Sequence, residues 1–422
     1  MAGRDPQEPH RVATPLELLY DLVFVVAFSV ASAQFAHAIA AGHWASGLGA
    51  LVFCLFGAVW AWINFSWFAS AYDTDDWIYR LLAMVQMCGV ALLALGVPDI
   101  FRSFEQGGVL HNEVLVAGYV VMRLALLAQF LRAASRDRSR RRVISTYVTG
   151  WGIAQIGWLL LLFLHVELPW AIWAALPLYV LELATPWVAE RKGGLPWHAH
   201  HIAERYSALT IISLGEVVVG TIGSLAVLVE RGWNVDTVLL LVAGMGLALG
   251  LWWSYFLTPI GDALAARRGK ATAFSLLHIP IYMSIAAVGA GLHVVAYLLD
   301  KQDADFAVLI SPLGTVTALA APMVVFVLLV FVLYADLFRT SSAHDAFHGG
   351  LLLVTLATAA AGVAVVALGG SVMAGVVVIA CAPAILCAAF EVWGHRHLRE
   401  ELEKLDEPDA LDEPEERAQP RA

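Results

Sequence analysis

Apolar residues occur along this chain in blocks of roughly twenty or more, separated by short stretches that hold the charges, turns and prolines. The hydrocarbon core of a bilayer takes about 20 residues of helix, so each block predicts one membrane span. The blocks fall at 14–40, 45–71, 77–99, 109–133, 143–165, 169–190, 202–229, 236–260, 272–299, 312–336, 347–368 and 371–392. Lipid offers no water to a free N–H or C=O, and these blocks far exceed the alternating ~10-residue strands of a barrel. The pattern therefore predicts an all-α, polytopic transmembrane helical bundle of about twelve spans. The weakest break is Gly369-Gly370, between the last two blocks, and a count of ten or eleven is the alternative.

Charge placement adds an orientation. With the N-terminus inside, the inner loops hold the Arg136-to-Arg142 cluster, Arg191-Lys192, Arg267-Arg268-Lys270 and Arg339, and the inner tail adds Arg396 and Arg399. The outer loops hold only Arg102, Arg231 and Lys301, with the acidic Asp300-to-Asp305 stretch alongside. Lys and Arg collect on the cytoplasmic side of membrane proteins, so both termini are expected there. Residues 1–13 form a cytoplasmic segment without the apolar core of a cleavable signal.

Composition agrees. Of 422 residues, 60% are hydrophobic and 14% charged, where a soluble chain carries about a quarter charged. The net charge of −10 comes largely from an acidic tail, read as disordered and cytoplasmic over 398–422. No basic stripe with interleaved aromatics supports nucleic-acid binding. The bilayer is the expected partner, with a small ion or solute as the other. The four cysteines (Cys54, Cys88, Cys381, Cys387) lie in apolar blocks and read as small buried hydrophobes. No cofactor motif, nucleophile elbow or phosphate loop is present, and an enzyme is not expected.

Two halves of the chain echo each other. Trp60-Ala-Trp-Ile-Asn-Phe resembles Trp252-Trp-Ser-Tyr-Phe, and Leu93-Ala-Leu-Gly at the end of the third span resembles Val288-Gly-Ala-Gly in the ninth. Phe130-Leu-Arg matches Leu337-Phe-Arg, and Glu182, Trp187 and Arg191 match Glu391, Trp393 and Arg396. Two six-span units, 14–192 and 193–397, account for these matches, and an even span number makes the repeat parallel. The alternative is that Trp and Arg recur at interfaces in any membrane protein.

Charged side chains at mid-bilayer cost at least about 2.5–3.5 kcal/mol each, so those present must face protein or water and find partners. Arg123 and Glu216 lie deep in the fourth and seventh spans, and Glu182 lies near the middle of the sixth. They either line a path or form an Arg–Glu pair that fixes packing; for Arg123, Glu216 is the expected mate. Arg205, Leu209, Ile212, Glu216, Gly220 and Gly223 share one helix face, and the glycines admit a close neighbour.

The first span opens Thr14-Pro15-Leu-Glu17, which predicts a capping box with proline at the first helical position. Asp21 lies one turn deeper and requires a donor, for which Arg205 is the expected residue. Glu17 and Asp21 read either as a port for cations or protons or as members of an ion-pair network. His198, His200, His201 and Glu204 lack metal-site spacing. Asp73, Asp75 and Asp76 form an acidic cytoplasmic loop with no EF-hand glycine. Asn64, Gln86, Gln129, Gln155, His278 and His293 read as glue between helices.

Several of these segments together resemble a known family. Thr14-Pro-Leu-Glu-Leu-Leu-Tyr-Asp, Ala71-Tyr-Asp-Thr-Asp-Asp, His201-Ile-Ala-Glu-Arg-Tyr, Ile212-Ser-Leu-Gly-Glu and Leu251-Trp-Trp-Ser-Tyr-Phe are similar to the bacterial low temperature requirement A family. The resemblance implies a multi-pass inner-membrane protein and places the family's motif on Glu17, Asp21, Asp73, Asp75, Asp76, Glu204, Arg205, Gly215 and Glu216. A fainter similarity joins Glu17 through Ala27 to a potassium-channel family built from six-span units. That family's Phe-Ser-Asp reads Leu19-Tyr20-Asp21 here, without the serine. The expected function is a transporter or ion channel lined by Asp21, Glu216 and Arg123. A scaffold or stress-response factor with purely structural charges is the alternative.

Overall fold

The computed structural model describes residues 3–6, 8, 11–164, 166–230, 232–299, 308–338 and 342–394. Its helices are α1 (Pro15–Ala40), α2 (Trp44–Tyr72), α3 (Trp77–Gln106), α4 (Glu113–Arg136), α5 (Arg141–Leu164), α6 (Leu168–Glu190) and α7 (Ala199–Glu230). They continue with α8 (Val235–Tyr255), α9 (Ile260–Ala266), α10 (Ala271–Leu299), α11 (Pro312–Leu337), α12 (Ser342–Ala367) and α13 (Val372–Ala389). Among the described residues twelve helices are long and apolar enough to span a membrane, which matches the sequence pattern block for block. Among the described residues there is no β-sheet, only an isolated bridge between Val109 and Glu167. The acidic tail over 398–422, the Asp300-to-Asp305 stretch, Arg231, Lys301, Arg339, Arg396 and Arg399 lie outside the described residues.

Local chemistry sets the helix starts. Thr14 accepts from the Glu17 N–H while the Glu17 side chain returns to Thr14 N, the expected capping box. Asp76, Asn234, Ser311 and Ser371 cap α3, α8, α11 and α13 through their side-chain oxygens. The final hairpin turns at Gly369 with φ +94°, a conformation that suits glycine.

Two of the boundaries that differ from expectation have a clear local cause. The third span was expected to close at residue 99, yet α3 runs through Pro98 to Gln106 and takes Arg102 into its last turns. A single proline in a buried helix removes one donor, and neighbouring turns carry the helix on until Gly107 at φ +71°. The eighth span was expected to reach residue 260. It stops at Tyr255, where Phe256 leaves helical geometry, and α9 begins after Pro259. The cysteine expectation holds for Cys54 and Cys387, whereas Cys88 and Cys381 are exposed on outward helix faces.

Helix packing has no hydrophobic drive in lipid and relies on close backbone approach at small residues. A Cβ at Gly118 of α4 would lie 2.4 Å from Leu93 N and 2.5 Å from Gly89 O of α3. The same device brings Gly220 of α7 onto Gly289 O of α10, and Gly291 of α10 onto Ala318 O of α11. In each half the first helix packs on the second and third, the third on the fourth, the fourth on the fifth and the fifth on the sixth. Between halves, α1 and α2 pack against both α7 and α10. Helix α10 is the most enclosed of the candidate spans, and α6 and α12 are the least. The core is thus α1, α2, α7 and α10, where two of the three buried charged groups lie.

Candidate functional site

Three separate polar groups occupy the bundle. The first joins the start of α1 to the start of α7. Arg205 donates to Asp21 through Nη2 (2.5 Å) and Nε (3.2 Å), the pairing the sequence predicted. Arg205 Nη1 also lies 3.0 Å from Glu17 Oε1, an ion pair not aligned as a hydrogen bond. Trp62 of α2 donates its indole N–H to Asp21 at 2.6 Å, and His201 Nε2 meets Glu17 Oε1 at 3.1 Å. Glu17, Asp21, His201 and Arg205 are all fully buried. Two carboxylates therefore face one guanidinium, with the His201 imidazole as a further partner of Glu17. Glu17 accordingly does more than cap its own helix.

The second group is Glu216, at mid-depth on α7 and 1% exposed. Ser29 of α1 donates to its Oε1, and Oε2 has no hydrogen-bond partner among the described residues. No Arg, Lys or His makes an ion pair with it there. Gly289 of α10 packs against its backbone carbonyl, so the neighbouring helix closes over it. Along α1 the polar positions Glu17, Asp21, Ser29 and Ser32 follow one side, and Ser32 donates to Ala286 O of α10 at 3.0 Å. A polar seam thus runs between α1, α7 and α10 from the helix starts to mid-depth.

The third group lies inside the first half and corrects the expected pairing of Arg123 with Glu216. Arg123 meets Glu182 of α6, with Nη2 to Oε2 at 2.5 Å, and donates to the Tyr119 hydroxyl at 2.7 and 3.0 Å. Its guanidinium also stacks on Trp151, 4.8 Å from the ring centroid. Glu182 accepts further bonds from Trp60 (3.0 Å) and Gln155 (3.1 Å). Arg123 and Glu216 fail to meet because α4 packs on α2, α3 and α5, outside the α1–α7–α10 core. Asp21, Glu216 and Arg123 therefore do not meet in one group, and Arg123 stands with Glu182 apart from the other two.

The acidic loop does not converge. Asp75 pairs with Arg80 at 2.7 Å and Asp76 with Arg132 at 2.5 Å, while Asp73 accepts from Asp75 N at 2.8 Å. Asp76 is held below the usual carboxylate range by Arg132 and by the helix N–H groups it caps. Burial pushes Asp73 upward, reinforced by the charge of Glu17. Glu204 is exposed and accepts from Ala13 N at 3.1 Å, apart from the buried members of its motif. His198 meets Glu8 O and accepts from the His201 backbone N–H at 3.2 Å, and His200 meets Asp262. Among the described residues no group of three or more such side chains is arranged to hold a metal.

Gln86, Gln129 and His278 join helices as read: Gln86 donates to Gln129 at 3.0 Å and accepts from Tyr20 at 3.1 Å, and His278 meets Tyr255 at 2.7 Å. Asn64 instead donates within α2 to Trp60 O. Sequence reasoning missed Ser29 and Trp62 as partners of the buried acids. A serine or tryptophan in an apolar block carries no local signal of its partner, although Ser29 does lie two and three turns beyond Asp21 and Glu17 on the same helix side.

Comparison with curated proteins and with solved structures returns no match. A family model described as bacterial low temperature requirement A protein matches residues 12–383, from the stretch of chain before α1 into α13. That span contains the capped acidic start of α1, the aspartate loop, the basic start of α7 and Glu216, the segments on which the sequence resemblance rested. The chain belongs to the bacterial low temperature requirement A family.

Proposed function

We propose that this membrane protein is a transporter or ion channel without enzymatic activity, with its polar path along the α1–α7–α10 seam and Glu216 as its proton- or cation-binding carboxylate. One observation carries the reading. Glu17 and Asp21 have Arg205 and Glu182 has Arg123, but buried Glu216 has a serine and no cation among the described residues. A bare carboxylate in an apolar interior is costly, so such a group holds a proton or takes a passing cation. Intramembrane acids of this kind recur in ion and proton pathways. Two parallel six-span units frame the seam in this reading. Their matching helix pairings support it, as does a recurring contact: Trp60 donates to Glu182 in one half and Trp253 to Glu391 in the other, both at 3.0 Å. The bacterial inner membrane, with the termini cytoplasmic, belongs to this reading and is supported by the Arg136-to-Arg142 cluster lying at the same end as the N-terminal segment.

Protein reconstituted in vesicles with trapped pyranine should pass protons under an imposed potential. Glu216→Gln should abolish that flux while leaving the melting temperature within a few degrees. Full flux in a well-folded Glu216→Gln variant would remove Glu216 from the path. A second reading, a non-transporting scaffold or stress-response factor, draws on the buried ion pair of Arg123 with Glu182. It predicts no flux from the parent protein under any gradient.

A further inference from the structure

A cavity of about 210 Å³ opens between the halves, near the end of the bundle that carries the N-terminal segment, away from Glu216. Its walls are aromatic: Trp60, Trp67, Phe130, Tyr147, Trp151 and Trp197. These rings are held by their own contacts and are not free to collapse inward. Trp67 donates to Ser275 Oγ at 3.1 Å and meets Trp197 edge-on at 4.8 Å, and Phe130 stacks on Tyr147 at 5.1 Å. Deeper in, the amide nitrogen of Asn64 is committed to Trp60 O at 2.7 Å.

Two opposite charges line the same cavity without an ion-pair contact between them among the described residues, and the charge of Arg140 also acts on Glu190. Glu190, at the end of α6, accepts from Tyr147 and Leu195 N through Oε1, both at 3.3 Å, and Oε2 has no hydrogen-bond partner among the described residues. Arg268, just before α10, lies 3.9 Å over the Trp197 ring and spends Nη2 on Trp197 O at 2.7 Å. Its Nε and Nη1 have no hydrogen-bond partner there. A simple organic cation is disfavoured, because guanidinium groups already stack on Trp151 and Trp197. A simple anion would have to tolerate Glu190. A volume below the ~300 Å³ lower bound of drug-sized pockets excludes large ligands.

We propose that this cavity binds a zwitterionic small molecule, an α-amino acid with a large apolar side chain. Its ammonium would meet Glu190 Oε2, its carboxylate would take the free donors of Arg268, and its side chain would lie among the indoles. The apolar wall supplies affinity, and the two charges supply orientation. Nothing in this assignment depends on Glu216.

Calorimetry on the full chain in lipid nanodiscs tests it, with L-phenylalanine and L-leucine as probes. Saturable binding of at least one is expected. 3-Phenylpropionate and phenethylamine, which each keep the ring and lose one charge, should bind at least ten-fold more weakly than L-phenylalanine, and the matching leucine analogues likewise. Arg268→Gln and Glu190→Gln should each weaken amino-acid binding ten-fold or more. The analogue series on the unaltered protein keeps the test valid where a variant misfolds. No saturable binding of either amino acid overturns the proposal, and so does equal binding of the one-charge analogues.

Discussion

The Arg123–Glu182 contact permits a sharp energetic test. Replacing Arg123 by Met keeps most of the side-chain length and removes the charge. Glu182 would then remain 0% exposed, holding only Trp60 and Gln155. Removing one partner of a buried ion pair costs about 3–5 kcal/mol, because the other charge is left uncompensated. Loss of the stack on Trp151 adds to this, by about 0.5–2 kcal/mol. The double variant Arg123→Met with Glu182→Gln removes both charges. The carboxamide introduced by Glu182→Gln can still accept from Trp60 through its oxygen. Its NH2 can donate to Gln155 Oε1, which has no hydrogen-bond partner among the described residues of the parent protein. Replacing a buried pair as a unit is often neutral, so the double variant should lie within about 1 kcal/mol of the parent. Reversible unfolding in mixed micelles, followed by tryptophan fluorescence, reads both values. A double variant as unstable as the single one would refute the reasoning. A single variant losing less than about 1 kcal/mol would do the same.

Other outcomes follow from individual contacts. Asp76→Ala loses both a helix cap and the Arg132 pair and should cost about 1–2 kcal/mol, whereas Asp76→Asn keeps the cap and should cost under about 1 kcal/mol in thermal melts. Because the carboxyl of Asp76 is held low, the gap between parent and Asp76→Asn should be present above the ordinary carboxylate value near 4 and fade as pH falls further. Asp73 has the opposite sign: burial raises it, so its charge costs stability at neutral pH. Asp73→Asn should raise the melting temperature at pH 8 and leave it unchanged below pH ~4, where both forms are neutral. An Asp73→Asn protein less stable at pH 8 would contradict this. Gly118→Ala should cost at least about 1–3 kcal/mol, since its Cβ meets backbone atoms of α3, while Gly246→Ala, with nothing within 4 Å, should match or exceed the parent. Equal melting temperatures for the two alanine variants would rule out close α3–α4 contact as the cause.

The residues by themselves determined the number of spans, their approximate limits and the start of α1, because these depend on chain-local physics. Apolar length must match the bilayer, backbone groups must bond within each helix, and Thr14, Pro15 and Glu17 meet over one turn. One long-range pair was also legible, Asp21 with Arg205. A charge one turn inside α1 requires a donor at equal depth, and few cations qualify. Only the tertiary structure decided the mates of the other buried charges. Arg123 and Glu216 lie equally deep in their spans, and depth alone would allow them to pair. Yet α4 packs within the first half and α7 packs across the centre, so Arg123 found Glu182 and Glu216 was left with Ser29. The aromatic cavity was hidden for the same reason. Its walls come from helices and loops of both halves, from Trp60 on α2 to Leu276 on α10. Periodicity within one helix carries no record of which other helix it will face.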